Sequence, residues 1–244
     1  MKLIRNTIIL LMIMISFVQP AFCLDFNAVG VKDSIYEHLS NWDSTFSINY
    51  YDKDVIDVIR EKAKTDDYLY ISLIGLVYKR EGINAQVEAK YRTTKEQEVY
   101  VQNEVNNIMK TIIKDEMSEC DKVYAINKYL INRFSYDNDL VNNNAYLALT
   151  KGTTTCQGYA MTAYKLFKAA GIDNRIVIGQ LNGINHGWNL VKINDRWYHI
   201  DITNNDYVGE NKYFLRSDDF FKSQGFTWKQ DDYVQAAYNY VLAR

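Results

Sequence analysis

The chain contains 244 residues with a mass of 28.5 kDa, which is enough for one large domain or two small ones with a substantial core. Hydrophobic residues make up 48% of it and charged residues 24%, a globular balance that excludes disordered, collagen-like and coiled-coil classes. The 28 Lys and Arg residues face 30 Asp and Glu residues, for a net charge of -2. Nucleic acid is therefore not expected as a partner, because no basic excess is available to bind phosphates.

The first residues have the pattern of a secretory signal peptide. Lys2 and Arg5 precede an apolar run over residues 8–18, and the predicted leader covers residues 1–23. The run has about half of the roughly 20 residues needed to span a bilayer, so stable membrane insertion after cleavage is not expected. Phe22 is bulky where lipid-attachment signals have a small residue, which makes a lipoprotein the less favoured alternative. The protein is expected to be secreted or associated with the cell surface.

Residues 24–116 are predicted to form a small α/β subdomain, because apolar residues recur along it at helical and strand spacings. The predicted elements are a helix over 31–41, a strand over 46–50, a helix over 55–63, a hairpin over 68–92 whose first strand begins at Tyr68, and a helix after Thr94. Within the hairpin, apolar and polar residues alternate strictly from Ile83 to Arg92, which indicates one face in contact with water.

Residues 117–244 are predicted to form a second domain, which begins with a helix marked by Ser118 and Asp121. The sequence between the two units contains no stretch rich in Pro, or in Gly and Ser, of the kind that forms a linker. The two units are therefore expected to dock tightly.

Cys156 lies where the sequence predicts the N-terminus of a helix. Three Thr residues precede it, an apolar stripe follows it, and Gly171 is a typical C-terminal stop. Unsatisfied N–H groups and the positive end of the helix dipole favour a thiolate over a thiol at this position. The same N–H groups could hold a developing oxyanion. A Cys residue at a helix start can also be an inert buried side chain, so the rest of the sequence has to decide between the two interpretations.

An antiparallel meander is predicted after this helix. Its three strands cover residues 174–180, 186–193 and 196–201. A two-residue turn at 194–195 places Trp188 opposite Asp201, and by the same count His186 lies opposite Thr203. His186 and Asp201 are then diagonal neighbours on one face, about 7 Å apart or less, within reach of a hydrogen bond. A three-residue turn would reverse the parity and separate them.

Cys156, His186 and Asp201 are the residue types of a nucleophile, a base and a group that orients the base. In this arrangement His186 deprotonates the thiol. Asp201 fixes the tautomer of the imidazole and stabilises its positive charge. The sequence therefore predicts these three residues as the catalytic site.

Short motifs in a fixed order extend over residues 118–217. They are Tyr136-Asp137, Cys156-Gln157-Gly158-Tyr159-Ala160, Ala170-Gly171-Ile172, Gly179, His186-Gly187-Trp188-Asn189, Trp197-Tyr198-His199-Ile200-Asp201 and Tyr213-Phe214-Leu215. Together they resemble the transglutaminase-like superfamily. The resemblance implies an α+β fold with a papain-like core, in which the Cys-bearing helix packs on an antiparallel sheet, and it assigns the catalytic Cys, His and Asp to Cys156, His186 and Asp201. Relatives often add a side-chain donor to the oxyanion hole, for which Tyr136 is a candidate here.

Other interpretations use some of the same residues. His199 projects from the same face as Asp201 and could be the base, although His186 is preferred because it begins its strand. Zinc could bind Cys156 together with these three residues, but no close pair has the usual ligand spacing, so neither a metal nor another cofactor is expected. Cys120 is predicted to be a packing residue, since a disulfide to Cys156 would abolish the nucleophile.

The sequence thus predicts a secreted cysteine acyl-transfer enzyme that acts on amide bonds of proteins, peptides or cell-wall peptides. Water as the second acceptor makes it a protease or amidase, and a Lys amine makes it a cross-linking transglutaminase. Hydrolysis is favoured because bulk water is always available. The alternative is a non-catalytic secreted binding or surface module that retains the fold. The oligomeric state and the purpose of residues 24–116 stay open.

Overall fold

The computed structural model describes residues 28–50, 54–209 and 211–241. The predicted signal peptide over residues 1–23 lies outside the described residues. Within the described ranges, no helix is both long enough and apolar enough to cross a membrane.

The N-terminal unit consists of a three-stranded antiparallel sheet with helices packed on one face. Its elements are α1 (Ala28–Ser40), β1 (Thr45–Ile48), α2 (Val55–Ala63), α3 (Asp67–Ser72), β2 (Leu73–Glu81) and β3 (Asn84–Tyr91), and the strand order is β1-β3-β2. The predicted alternation is confirmed for Ala85, Val87 and Ala89 of β3, which are buried, whereas Ile83 is exposed in the turn before the strand. The three buried residues pack with Ile35 of α1 and Ile59 of α2 in a small core.

The prediction that the hairpin begins at Tyr68 is wrong. Residues 67–72 form the short helix α3, although the segment is rich in aromatic and β-branched residues. The local reason is a helix cap: the Asp66 carboxylate accepts a hydrogen bond from the N–H of Leu69 at 3.1 Å. The first strand of the hairpin therefore begins only at Leu73.

Helix α4 (Lys95–Ile112) begins with the predicted capping box, in which Thr94 and Gln97 bind each other's backbone N–H groups. Its buried face consists of Val101, Val105 and Ile108, and these side chains belong to the larger core of the C-terminal unit. The larger core thus includes residues of α4, a helix that the sequence analysis assigned to the N-terminal subdomain.

The C-terminal unit is built around a four-stranded antiparallel sheet. Its elements are α5 (Glu119–Arg133), β4 (Ser135–Tyr136), α6 (Ala145–Lys151), β5 (Thr153–Thr154), α7 (Cys156–Ala169), β6 (Asn174–Leu181), β7 (Ile184–Ile193), β8 (Arg196–Ile200), α8 (Ile202–Val208), α9 (Asp218–Ser223) and β9 (Phe226–Trp228), and the sheet order is β8-β7-β6-β9. Alternate residues of β7 enter two cores: Val191 and Ile193 pack with α7, whereas Trp188 and Leu190 pack with α9. The predicted α+β fold, with the Cys-bearing helix on an antiparallel sheet, is confirmed.

Two tight turns set the register of the meander. Residues 182–183 and 194–195 all have positive φ, which is typical of two-residue hairpin turns. The predicted turn at 194–195 is confirmed, since Ile193 pairs with Arg196. The predicted pairing of His186 with Thr203 is wrong, because β8 ends at Ile200 and the chain then enters α8.

The two units meet through ion pairs whose carboxylates are largely buried and whose cations are partly or largely exposed. Arg175 at the start of β6 donates two hydrogen bonds to Asp67 of α3, at 2.7 and 3.0 Å. The same carboxylate accepts the N–H of Ile176 at 2.8 Å. Beside it, Lys168 of α7 contacts Asp66 at 3.1 Å. These contacts agree with the expectation of tight docking.

Replacing Asp67 by Ala is expected to lower the free energy of unfolding by about 1–3 kcal/mol, because Arg175 and the N–H of Ile176 lose a shared charged acceptor. Urea denaturation measures the change. Asp57→Ala is the matched control, since Asp57 forms only an exposed ion pair with Arg60 at 3.8 Å and should contribute less than about 0.5 kcal/mol. Equal effects of the two substitutions would contradict the role assigned to Asp67.

Candidate active site

Cys156 is the first residue of α7, as predicted, and the residue before it has extended backbone geometry. Of the three preceding Thr residues, two form β5, which pairs in parallel with residues 135–136. Among the described residues, the hydroxyl of Thr155 caps none of the N–H groups in the first turn of α7. Those N–H groups therefore face the region around the sulfur without a local side-chain acceptor from the capping position.

A loop after β4 holds the first turn of α7 in place. The Asp137 carboxylate accepts hydrogen bonds from the N–H groups of Asp139, Val141 and Asn142 at 3.2, 2.9 and 2.7 Å. The carbonyl of Asn142 then accepts the N–H of Thr155 at 3.0 Å. The Tyr136-Asp137 motif thus has a structural explanation, because Asp137 shapes the loop on which the residue before Cys156 rests.

Gly158, two residues into α7, allows a close approach at the same place. A Cβ at this position would lie 1.8 Å from Oγ1 of Thr154 and 3.3 Å from the carbonyl oxygen of Asn144. Any side chain would push α7 away from β5. The glycine of the Cys156-Gln157-Gly158 motif is therefore required by packing beneath the nucleophile.

His186 and Asp201 form the predicted pair. Nε2 of His186 lies 2.7 Å from Oδ2 of Asp201, and the carboxylate is fully buried. Asp201 also caps α8, since its Oδ1 accepts the N–H of Asn204 at 3.0 Å. The other ring nitrogen of His186, Nδ1, is left for the thiol. The structure thus brings the two residues together across β7 and the end of β8, although Asp201 lies beyond the last strand residue.

Asn204 is a residue of the site that the sequence analysis missed. Its side-chain Nδ2 donates to Oδ2 of Asp201 at 2.5 Å, the same oxygen that binds His186. A signal was present in the sequence: Asp201 is a good helix N-cap, and the third residue of a capped helix lies next to the capping side chain. Asn204 therefore fixes the carboxylate that orients the imidazole.

His199, the alternative base, uses both of its ring nitrogens in contacts with residues other than Cys156. It is fully buried, its Nδ1 accepts a hydrogen bond from Nε1 of Trp188 at 2.9 Å, and its Nε2 lies 2.8 Å from Oδ1 of Asp218. Trp188 in turn stacks on the ring of His186 at a centroid distance of 5.9 Å, and Phe226 meets that ring at 5.7 Å. His199 thus holds Trp188, which together with Phe226 packs against the ring of His186.

The electrostatics favour an ion pair between the sulfur and the imidazole. Burial acts to lower the pKa of His186, but the charge and hydrogen bond of Asp201 outweigh it and raise the pKa to about 10. Burial acts to raise the pKa of Cys156, but the hydrogen bond and charge of His186, together with the N–H of Gly187, bring it below the ordinary value. Both shifts favour the pair in which Cys156 is a thiolate and His186 is an imidazolium.

Tyr136 and Cys120 have different relations to the nucleophile. Partial burial and then the neighbouring charge of Cys156 raise the pKa of Tyr136, so its hydroxyl keeps its proton and can donate. Cys120 packs on the larger core and, like Cys156, is free within the described ranges, where the two form no disulfide. Burial raises the pKa of Cys120. Only Cys156 thus has the surroundings of an activated thiol.

Comparison with known proteins agrees with this geometry. Residues 106–202 match the family model described as the transglutaminase-like superfamily, which confirms the resemblance seen in the motifs. No curated protein matches the chain. Among the described residues, no group of three or more His, Cys, Asp or Glu side chains is placed to hold a metal ion.

Solved structures with a similar fold include one described as a TGase, with 15% identity and a TM-score of 0.44 over 80% of this chain and 57% of that one. A second is described as a candidate cysteine protease from Cytophaga hutchinsonii, with 13% identity and a TM-score of 0.39 over 67% of this chain and 66% of that one. The chain thus spans less than two thirds of the length of either protein.

The pH dependence of alkylation tests the ion pair. Iodoacetamide reacts with the thiolate, so the reaction rate of Cys156 is expected to reach its plateau below pH 8.5, near which an ordinary thiol titrates. In His186→Ala the plateau is expected to shift to higher pH, because the main cause of the lowered pKa is removed. The background of Cys120→Ala restricts the signal to one sulfur. An unchanged profile in His186→Ala would contradict the ion pair.

Proposed function

We propose that this chain, whose residues 106–202 match the transglutaminase-like superfamily, is a cysteine acyl-transfer enzyme that acts on amide bonds of proteins, peptides or cell-wall peptides. The observation that carries the proposal is the contact of a buried carboxylate, Asp201, with an imidazole whose other nitrogen is available to Cys156 at a helix N-terminus. Nucleophile, base and orienting group are thus supplied by α7, β7 and the start of α8.

In the first half-reaction the thiolate of Cys156 attacks the carbonyl carbon of the amide. An S–C bond forms, the C–N bond breaks, and the imidazolium of His186 gives its proton to the departing amine. The N–H groups at the start of α7 and the hydroxyl of Tyr136 are the available donors for the negative charge that develops on the carbonyl oxygen. The products of this step are an acyl thioester and a free amine.

In the second half-reaction an acceptor attacks the thioester, and His186 takes its proton as the thiolate leaves. Water as the acceptor gives a carboxylic acid, and an amine gives a new amide. Hydrolysis is the proposed outcome because water is present at far higher concentration than any amine. Asp201 keeps the imidazole oriented through both steps, and Asn204 keeps the carboxylate oriented.

Incubation with casein and a labelled primary amine tests this proposal. Casein fragments or released acid indicate hydrolysis, and incorporated label indicates amine transfer. Both products are expected to disappear in Cys156→Ala and to fall by about a thousandfold or more in His186→Ala, because the triad residues act as a unit. Cys120→Ala is the matched control and should retain activity.

The rate of amide cleavage should be highest between the lowered pKa of Cys156 and about pH 10. On the acid side the thiolate becomes protonated, and above about pH 10 the imidazolium loses the proton that the leaving amine needs. If neither casein nor purified cell-wall peptides react while Cys156 still alkylates rapidly, the non-catalytic binding module becomes the better description.

We also propose that the predicted leader over residues 1–23 directs the protein to the cell surface or the medium. The protein recovered from the medium of an expressing bacterium is expected to begin near residue 24. Intact mass measurement determines the N-terminus. Recovery of the full-length chain only from the cytoplasm would contradict secretion.

A further inference from the structure

A groove with a volume of about 550 Å³ lies between the N-terminal unit and the candidate active site. One wall is formed by α3 and by residues 73–76 at the start of β2. The opposite wall is formed by Gln157 of α7 and Ile178 of β6. The groove therefore joins the unit of unassigned role to α7, which carries Cys156, and to β6, which pairs with the strand β7 that carries His186.

Two residues that line the groove, one on α7 and one on β6, lie next to residues of the candidate site. Gln157 directly follows Cys156 on α7. Ile178 pairs across the sheet with Gly187, whose N–H interacts with the Cys156 sulfur, and the next pair along is Gly179 with His186. The groove therefore opens beside the first turn of α7, which carries Cys156, and beside the part of β6 that pairs with Gly187 and His186.

The shape of the groove fits an extended chain. Residues 73–76 are consecutive in β2, and consecutive strand residues point to opposite faces, so the groove follows the edge of the strand. In the described part of the chain β2 is an outer strand of its sheet, with β3 on one side. The exposed Ile74 and Tyr70 offer apolar contacts along this edge. Strand edges of this kind bind extended peptides by backbone pairing.

The charge of the groove selects among peptides. Two of its lining side chains are Arg60 and Arg92, and the lining, all within the described residues, contains no carboxylate. Nε of Arg92 binds only a carbonyl, that of Ile71, and the ion pair of Arg60 with Asp57 is long and exposed. The positive charge of the groove is thus weakly compensated.

The adjoining cavity shows the contrast. It shares Tyr70, Ile71 and Ile178 with the groove and has a volume of about 600 Å³, but its cations face carboxylates within the lining. Lys64 lies 2.8 Å from Glu61, and Lys229 lies 2.7 Å from Asp232. Only the part nearer to Cys156 therefore carries a net positive charge.

We propose that the groove binds the substrate as an extended acidic peptide, with its acidic side chains near Arg60 and Arg92 and its scissile amide at Cys156. The N-terminal unit thus selects the substrate. This inference rests on the proposed function, since it assumes that Cys156 reacts with the bound chain.

Peptide electrophiles test the inference separately from catalysis. The probes are five-residue peptides that contain two Glu residues and are blocked at one end. One probe carries a chloromethyl ketone at its C-terminus and the other an iodoacetyl group at its N-terminus, so that a peptide can bind in either chain direction. The Cys156 thiolate forms a thioether with either probe as halide leaves. Matched peptides carry Gln or Lys in place of both Glu residues. Labelling in the Cys120→Ala background is measured by intact mass.

The Glu peptide in at least one direction is expected to label Cys156 about fivefold faster than the Gln peptide, and the preference should weaken as salt is raised. Arg60→Gln combined with Arg92→Gln should remove the preference, and the corresponding double Glu variant should favour the Lys peptide. Lys79→Gln is the matched control, because it removes a positive charge from β2, the strand that lines the groove, at a position outside the groove.

The rate with iodoacetamide itself separates the two possible failures. If it stays fast in every variant while the peptides show no charge preference, the groove assignment is overturned and the proposed function stands. If iodoacetamide reacts slowly with the parent protein, with the pH dependence of an ordinary thiol, the proposed function fails first. A variant that reacts slowly with iodoacetamide and has also lost its far-UV circular dichroism signal is misfolded. The folded double Glu variant then tests the groove assignment through its preference for the Lys peptide over the Glu peptide.

Discussion

The candidate active site depends on how the buried carboxylate of Asp201 is satisfied. Burying a carboxylate costs several kcal/mol, and each hydrogen bond to a charged group returns about 1.5–3 kcal/mol. Asp201 accepts two hydrogen bonds from Asn204 and one contact from His186. Only His186 can also bring an opposite charge, which is why its pKa rises to about 10. The carboxylate therefore favours the imidazolium, and the imidazolium in turn favours the thiolate of Cys156.

Local features of the backbone at two places in the chain bring Cys156, His186 and Asp201 together. The two-residue turn at 194–195 fixes the register of β7 and β8, and a shift by one residue would turn His186 to the other face of the sheet. The loop held by Asp137 seats the residue before Cys156, and Gly158 lets α7 approach β5. The positions of Cys156 and His186 thus depend on a turn, a loop and a glycine that lie outside the three candidate residues.

Local signals were sufficient for much of the fold. The capping box at Thr94 and the turn at 194–195 each involve residues three or fewer positions apart, so their chemistry is visible in the sequence. Helix α3 was missed because one capping carboxylate, Asp66, outweighed the strand preference of the six residues that follow it. Composition alone cannot weigh these two effects.

The site was predictable to the extent that it follows strand register and helix ends. Cys156 is the first residue of α7 and His186 lies on β7, as the sequence indicates, whereas Asp201 contacts His186 from the residue after β8 rather than from within the strand. Asn204 was missed although its signal is local, since it follows Asp201 by three residues in the helix that Asp201 caps, whereas the role of His199 depends on the distant Asp218. Neither contact has a periodic pattern along the chain.

Strand β6 connects the N-terminal unit to the candidate catalytic residues. Its first residues dock on the unit, since Arg175 and the N–H of Ile176 bind Asp67. Two residues further, Ile178 lines the groove and pairs with Gly187 beside the sulfur. The contacts with Asp67 and the groove residue Ile178 therefore lie on one paired strand. The unit that lines the groove is thereby held in register with the residues that would perform the reaction.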